Sequence, residues 1–304
     1  MKTLWTLILI LIGILDTSAF VNKDSLYLYN YKQINFHYAN DLYHGTDRYL
    51  TQLAFFNYTT AFNKKNSQSA YTIQQNVYTP SDIFGDTIQK NDRPYAGLLF
   101  ATYERKNNAL KRQLIIHKQI DLGVLGKAAS GYSTQREIHY AVNSRQPLGW
   151  QYQLSNSIYA NATLGLDKGL VVKKYVEYIV HGQLQTGTVF NNIAAAQTIR
   201  VHFKNSFFSW KNNTKKNAFR VALQMKNELK YVAYNGTLQG GIGSKNNVYV
   251  LQQKDLTPTV YYRQIGLHLA FRHFGIAYSE SFITKEFKSG VSHKWSSVNF
   301  SFLF

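Results

Sequence analysis

The feature that most constrains this chain is a two-residue alternation of apolar and polar side chains, sustained over segments of about ten residues. Ile265, Leu267 and Leu269 share one face of such a segment, and His268 and Arg272 lie on the other. Alternation of this kind predicts β-strands with one apolar and one polar face. Strands of soluble sandwiches usually have about five or six residues, whereas a tilted strand needs about ten to cross a bilayer. We therefore predict an all-β chain that closes into an antiparallel transmembrane barrel, because every backbone group in lipid needs a partner.

Composition supports this fold class. Aromatic residues make up 15% of the chain and charged residues only 16%, which argues against disorder and against helical repeats. Cysteine is absent, which excludes disulfides, cysteine-based zinc sites and thiol catalysis. The sequence has no internal repeat and no linker-like stretch, so we expect a single barrel domain over residues 20–304.

The net charge indicates the kind of partner. The chain carries 34 Lys and Arg against 16 Asp and Glu, a formal charge of +18, which predicts contact with a polyanion. The basic residues are scattered singly through the alternating segments, and neither a recognition helix nor a glycine-rich phosphate loop is visible. We therefore expect a membrane-lipid surface as the partner and no nucleic acid.

The N-terminus predicts secretion. Lys2 precedes an apolar run over residues 4–15, and residues 16–19 end in a small-x-small pattern that is typical of a cleaved signal peptide. The run is too short for a membrane-spanning helix, which needs about 20 residues. We expect cleavage after residue 19 and a mature chain that starts near Phe20; the alternative is a buried first helix.

The C-terminus indicates which membrane the predicted barrel occupies. Val298, Phe300, Phe302 and Phe304 lie on one face of a last predicted strand, which ends the chain on an aromatic residue. This arrangement resembles the terminal strand of bacterial outer-membrane barrels. We expect an integral protein of the bacterial outer membrane.

One segment interrupts the strand pattern. Alternation stops between residues 126 and 150, and Thr134 with Glu137 forms the spacing of a capping box, which predicts a short loop helix near residues 133–143. Gln135 and His139 are four residues apart and share one face of that helix. His139 is the candidate general base, and the alternative is a solvated loop histidine.

A second group of polar residues lies where a predicted hairpin turns. Asn40, Asp41 and Thr51 would meet at one rim of the barrel, and their amide, carboxylate and hydroxyl oxygens suit a hard cation such as calcium. The alternative for Asn40 and Asp41 is a simple turn-forming role. Together with His139 they could hydrolyse an ester, since hydrolysis needs a base for water and a fixed positive charge beside the developing oxyanion. No Gly-x-Ser-x-Gly elbow is present, and no covalent nucleophile is required.

Several motifs occur in an order that resembles one family, the LpxR-like lipid A deacylases. They are Asn40-Asp41, Thr46-Asp47-Arg48-Tyr49-x-Thr51, Tyr78-Thr79-Pro80, Asn91-Asp92-Arg93-Pro94-Tyr95-Ala96-Gly97, Gly123-Val124-Leu125-Gly126, Gln135-x-x-x-His139 and Gly149-Trp150-x-x-Gln153-Leu154.

The resemblance implies a barrel of about twelve strands that removes 3′-O-linked acyl chains from lipid A, a carboxylic ester hydrolysis. It implies that His139 activates a water molecule, that a calcium ion forms the oxyanion hole, and that Asn40, Asp41, Thr51 and Gln135 belong to the same site. We assign His139, Gln135 and Thr51 as catalytic and Asn40 and Asp41 as metal ligands. Lipid A, as part of lipopolysaccharide, is the expected substrate of a monomeric protein that also contacts outer-membrane lipid.

Two positions depart from the family pattern. The characterised enzyme has a functional Lys shortly after the Tyr-Ser/Thr-Pro motif, where this chain has residues 81–85 without a Lys, and it has a Tyr where this chain has Gln146. Lys90 and Arg93 are candidate cations for a substrate phosphate. The alternative functions are a non-catalytic barrel, either a porin or a degenerate relative, and an outer-membrane phospholipase.

Overall fold

The computed structural model describes residues 31–62, 66–109, 112–173, 175–204, 219–244 and 246–304. The predicted signal peptide, residues 1–19, lies outside these ranges. Within them, no helix is long and apolar enough to cross a membrane.

Twelve antiparallel strands form one closed barrel, in which each strand pairs with the next and the first pairs with the last. This confirms the predicted all-β barrel. The strands are β1 (Tyr31–Asn40), β2 (Tyr49–Phe62), β3 (Ser67–Thr79), β4 (Ala96–Ala109), β5 (Leu114–Leu125), β6 (Ser157–Val172), β7 (Val176–Gly187), β8 (Phe190–Lys204), β9 (Phe219–Asn235), β10 (Thr259–Phe271), β11 (Phe274–Ile283) and β12 (His293–Leu303).

The closing pair sets the register of the wall. Phe36 of β1 lies opposite Phe300 of β12, and both side chains are exposed on the outer face. Asn299 and Trp295 of β12 point the other way and line a lumen cavity of about 610 Å³. The wall is therefore apolar outside and polar inside, as the alternation predicts, and the apolar face is the one that lipid would cover.

The two ends of the barrel differ in their connections. β10 and β11 are joined at one end by residues 272–273, and Lys32 N donates to Phe304 O at 3.0 Å at that same end. The opposite end carries the long loops of residues 41–48, 80–95, 126–156, 236–258 and 284–292. A short helix, α1 (Gly131–Ala141), lies in the third of these loops, and a one-turn helix, α2 (Gly236–Gln239), lies in the fourth.

The loop helix exists as predicted but begins two residues earlier, so the predicted capping box is wrong. Thr134 lies inside the helix and its hydroxyl donates to Ser130 O at 3.0 Å. The start is set by packing: a Cβ on Gly131 would lie 2.9 Å from Trp150 Cη2 and 3.1 Å from Gly97 Cα. Only glycine allows the helix to begin this close to the barrel wall.

Candidate active site on the outer wall

Helix α1 packs against the outer face of β3 and β4. Gln75 of β3 connects the two, because its Nε2 donates to Ala129 O at 2.7 Å and its Oε1 accepts from Thr134 Oγ1 at 3.1 Å. Its neighbours Gln74 and Asn76 line the lumen, so Gln75 points outwards. The groups held between α1 and the wall therefore lie outside the lumen, on the side that faces lipid.

His139 is buried in this position between two acceptors. Its Nδ1 lies 2.6 Å from the backbone oxygen of Arg145, and its Nε2 lies 2.8 Å from Asp47 Oδ2. A carbonyl oxygen only accepts, so Nδ1 carries a proton. Nε2 faces the Asp47 carboxylate and can donate a hydrogen bond to it whenever Nε2 carries a proton.

Asp47 is the centre of this arrangement, in the loop between β1 and β2. Burial raises the pKa of its carboxyl group, and the adjacent His139 imidazole opposes part of that rise. Gln135 Nε2 donates to the other carboxylate oxygen at 3.1 Å. Trp150 Nε1 donates to Gln135 Oε1 at 2.7 Å, which fixes the orientation of the amide. Gln135 therefore orients Asp47, and Asp47 in turn holds the imidazole.

Thr51 supports the same carboxylate from the wall. The register between β2 and β3 shifts between Leu50 and Gln52, which makes Thr51 the extra residue of a β-bulge. Its hydroxyl lies 2.6 Å from Thr79 Oγ1 and stabilises the charged form of Asp47. Thr79 Oγ1 also donates to Asp47 O at 3.4 Å.

Asn40 is the last residue of β1 and Asp41 is the first residue of the loop that follows it, and the two make different contacts. Asn40 Oδ1 accepts from Leu42 N at 2.6 Å, which is a turn-forming contact. Asp41 is 1% exposed, and its Oδ2 accepts from Thr46 Oγ1 at 2.7 Å and from Arg48 N at 2.9 Å. Burial raises the pKa of Asp41 to about 7. The carboxylate that reaches His139 is thus Asp47 and not Asp41.

The loop containing Asp41 has the chemistry of a partial cation site. The described residues contain no group of three or more His, Cys, Asp or Glu side chains arranged to hold a metal ion. Asp41 is nevertheless a buried carboxylate without a salt-bridge partner in the described chain, and such a group requires a proton or a cation. Calcium accepts amide, hydroxyl, carbonyl and water oxygens, so one carboxylate with the neutral oxygens of this loop fits it.

Arg93 has a structural role. Its guanidinium is buried 4.4 Å from the centre of the Tyr78 ring, Nη1 lies 3.3 Å from Glu286 Oε2, and Nη2 donates to Thr237 Oγ1 at 3.0 Å. It therefore joins three loops of the barrel end, and it is unavailable to a substrate phosphate. Lys90 is exposed.

Asp47 and Trp150 were not among the site residues predicted from the sequence, although both lie within the motifs named above. The only available signal for Asp47 was a second acidic residue six positions after Asp41 in the same turn. Nothing local shows which of the two carboxylates faces a helix 92 residues further along the chain.

The fold and the position of the site define a class: a closed β-barrel of the bacterial outer membrane with a buried His–Asp pair on its outer wall. The chain belongs to the family described as outer membrane protein LpxR, whose model matches residues 7–304.

One solved structure shares the fold of this chain, and others show a weaker similarity. LpxR from Salmonella typhimurium superposes with a TM-score of 0.74 at 20% identity, covering 90% of this chain and 100% of that one. The NanC porin matches at a TM-score of 0.43 and 6% identity, covering 89% of this chain and 98% of that one. The translocator domain of the autotransporter NalP from Neisseria meningitidis matches at a TM-score of 0.41 and 10% identity, covering 100% of this chain and 95% of that one. No protein of curated function matches the chain.

Proposed function

We propose that this protein is a lipid A deacylase, a carboxylic ester hydrolase that removes 3′-O-linked acyl chains in the outer leaflet of the outer membrane. Family membership and the outer-membrane barrel support the substrate class. Long loops of such barrels are extracellular and short turns periplasmic, which would place α1 at the outer leaflet, where lipopolysaccharide lies. The protein would act as a monomer.

The observation that carries this proposal is the position of the His139–Asp47 pair. The pair lies on the lipid-facing side of the wall, and neither residue belongs to the lining of the lumen cavity. A porin would use its lumen and has no need of a buried imidazole against its outer surface. An enzyme that hydrolyses a membrane lipid needs its base there.

The hydrogen bonds suggest how His139 would act. With Nδ1 bonded to Arg145 O, Nε2 is the nitrogen that can accept a proton, once water enters between it and Asp47. The water oxygen forms a bond to the ester carbonyl carbon, and the imidazole takes the water proton. Collapse of the tetrahedral intermediate breaks the bond to the sugar oxygen, which receives that proton from His139. Asp47 stabilises the imidazolium between these two steps.

A cation would complete the site. Asn40 and Asp41 are the proposed ligands, and Thr51 would keep Asp47 in place. When bound, calcium supplies positive charge close to the developing oxyanion. The Asp41 carboxylate, which is buried without a salt-bridge partner among the described residues, supports this assignment.

The test is mass spectrometry of lipids after incubation with purified protein in neutral detergent. We expect lipid A to lose its 3′-O-acyl mass in calcium and to stay intact in chelator, and phospholipid to stay intact in both. Release of fatty acid from phospholipid instead would favour the phospholipase alternative. Absence of any hydrolysis would favour the non-catalytic barrel.

A further inference from the structure

Arg145 connects the candidate site to the surface. Its backbone oxygen accepts from His139 Nδ1, while its side chain is exposed. The Arg145 guanidinium is therefore one side-chain length from the backbone oxygen that contacts the His139 imidazole. A cation in this position is well placed to bind a group of the substrate close to the reacting ester.

The guanidinium is held in place by an aromatic ring. Arg145 Cζ lies 4.8 Å from the centre of the Phe84 ring, and Phe84 packs on a buried cluster that includes Trp150. Leu148 N donates to Ile83 O at 2.7 Å, which ties the two loops together. Stacking orients the planar guanidinium and leaves its edge free, so its donors are arranged in advance for an anion.

Arg145 has no carboxylate partner in the described chain, in contrast to a comparable arginine on α1. Arg136 is also exposed and also stacked, 5.5 Å from the centre of the Tyr132 ring. Its Nη2, however, lies 2.7 Å from Glu137 Oε1. The positive charge of Arg136 is neutralised, whereas that of Arg145 is available to a ligand.

We propose that Arg145 binds a phosphate monoester of the substrate and thereby selects phosphorylated lipid. This inference rests on the proposed function. In lipid A the 3′-O-ester and the 4′-phosphate are carried by adjacent ring carbons, so a base and a phosphate-binding cation must lie close together. Arg145 meets this requirement, and a guanidinium edge matches two phosphate oxygens. It would do what Arg93, which is buried against Glu286, cannot do.

The experiment compares Arg145→Gln and Arg145→Lys with the wild type on three lipids in uncharged detergent. The lipids are lipid A with both phosphates, lipid A without the 4′-phosphate, and lipid A without the 1-phosphate. On the two lipids that keep the 4′-phosphate, Arg145→Gln should raise KM about ten- to a hundredfold with little change in kcat. Arg145→Lys should raise KM less, because it keeps the positive charge. On the lipid without the 4′-phosphate, Arg145→Gln and the wild type should be equal.

Arg136→Gln is the matched control, because it removes an exposed, stacked arginine whose charge is already paired. It should behave like the wild type on all three lipids. Equal loss on all three lipids for Arg145→Gln, or no loss on any, would overturn the proposal. A loss that appears only when phosphatidylglycerol is added would also overturn it, since the phosphate would then belong to a neighbouring lipid.

Binding separates this proposal from the proposed function. Titration of the same lipids into His139→Asn and into His139→Asn/Arg145→Gln measures affinity without turnover. A weaker affinity of the double variant only for lipids with the 4′-phosphate supports the role of Arg145, even if the wild type hydrolyses nothing. Equal affinities would contradict it, whatever the outcome of the hydrolysis assay.

Discussion

Asp47→Asn removes the negative charge from the centre of the site and keeps its shape. The asparagine amide can still contact Gln135, and its Nδ2 can donate to His139 Nε2, so the loop should keep its conformation. What is lost is the anion 2.8 Å from Nε2, which would stabilise the imidazolium during hydrolysis. The variant amide also occupies the lone pair that has to accept the water proton.

The expected magnitude follows from the loss of this hydrogen bond to a charged group. A hydrogen bond to a charged group contributes about 1.5–3 kcal/mol, which corresponds to a rate loss of about ten- to a hundred-and-fiftyfold. The assay is single-turnover deacylation of lipid A with excess enzyme, because this isolates the chemical step. Asp255→Asn is the control, because the Asp255 carboxylate accepts from Gln252 N at 3.0 Å in another loop. This variant should leave the rate of deacylation unchanged.

A double variant tests whether the two residues act as a unit. If Asp47 acts through His139, adding Asp47→Asn to His139→Asn should cost little beyond the loss already caused by His139→Asn. Wild-type rates in Asp47→Asn, or losses that multiply in the double variant, would refute the assignment of Asp47 as the partner of the base.

Two further predictions address the cation and the helix. Asp41→Asn should lose calcium binding, measured by calorimetry, and the stimulation of hydrolysis by calcium, while the barrel stays folded, because the substitution neutralises the proposed charged ligand. Stimulation by calcium equal to that of the wild type would contradict this. Gly131→Val should lower deacylation about a hundredfold without unfolding the barrel, since a side chain there would meet Trp150 and move α1 from the wall. The heat-dependent shift in gel electrophoresis shows whether the barrel is intact. Full activity of an intact Gly131→Val barrel would show that deacylation does not depend on the position of α1.

The barrel was predictable because its signal is local. Ile265 and Leu267 are exposed on the outer face and Trp295 lines the lumen, as strict alternation requires. Interrupted alternation likewise indicated a helix that carries Gln135 and His139. The exact start of this helix was not predictable, because it depends on contact between Gly131 and Trp150, which lies in a separate stretch of the loop.

The partners within the site depend on tertiary geometry. His139 and Asp47 are 92 residues apart, and Arg93 and Glu286 are 193 apart. Local sequence marks Asp41 and Asp47 equally as turn acids, and only the packing of α1 on β3 selects the second. The burial of Arg93 against Tyr78 and Glu286 also depends on tertiary packing, so the local sequence could not exclude Arg93 as a phosphate ligand.

The most direct test of the central claim compares His139→Asn with His273→Asn in lipid A deacylation. His273 Nδ1 also lies beside a backbone oxygen, at 2.8 Å from Leu303 O, but at the opposite end of the barrel. Loss of a general base costs about a hundred- to ten-thousandfold. We expect a loss of this size for His139→Asn and none for His273→Asn, with both barrels folded. Wild-type deacylation by His139→Asn would contradict it.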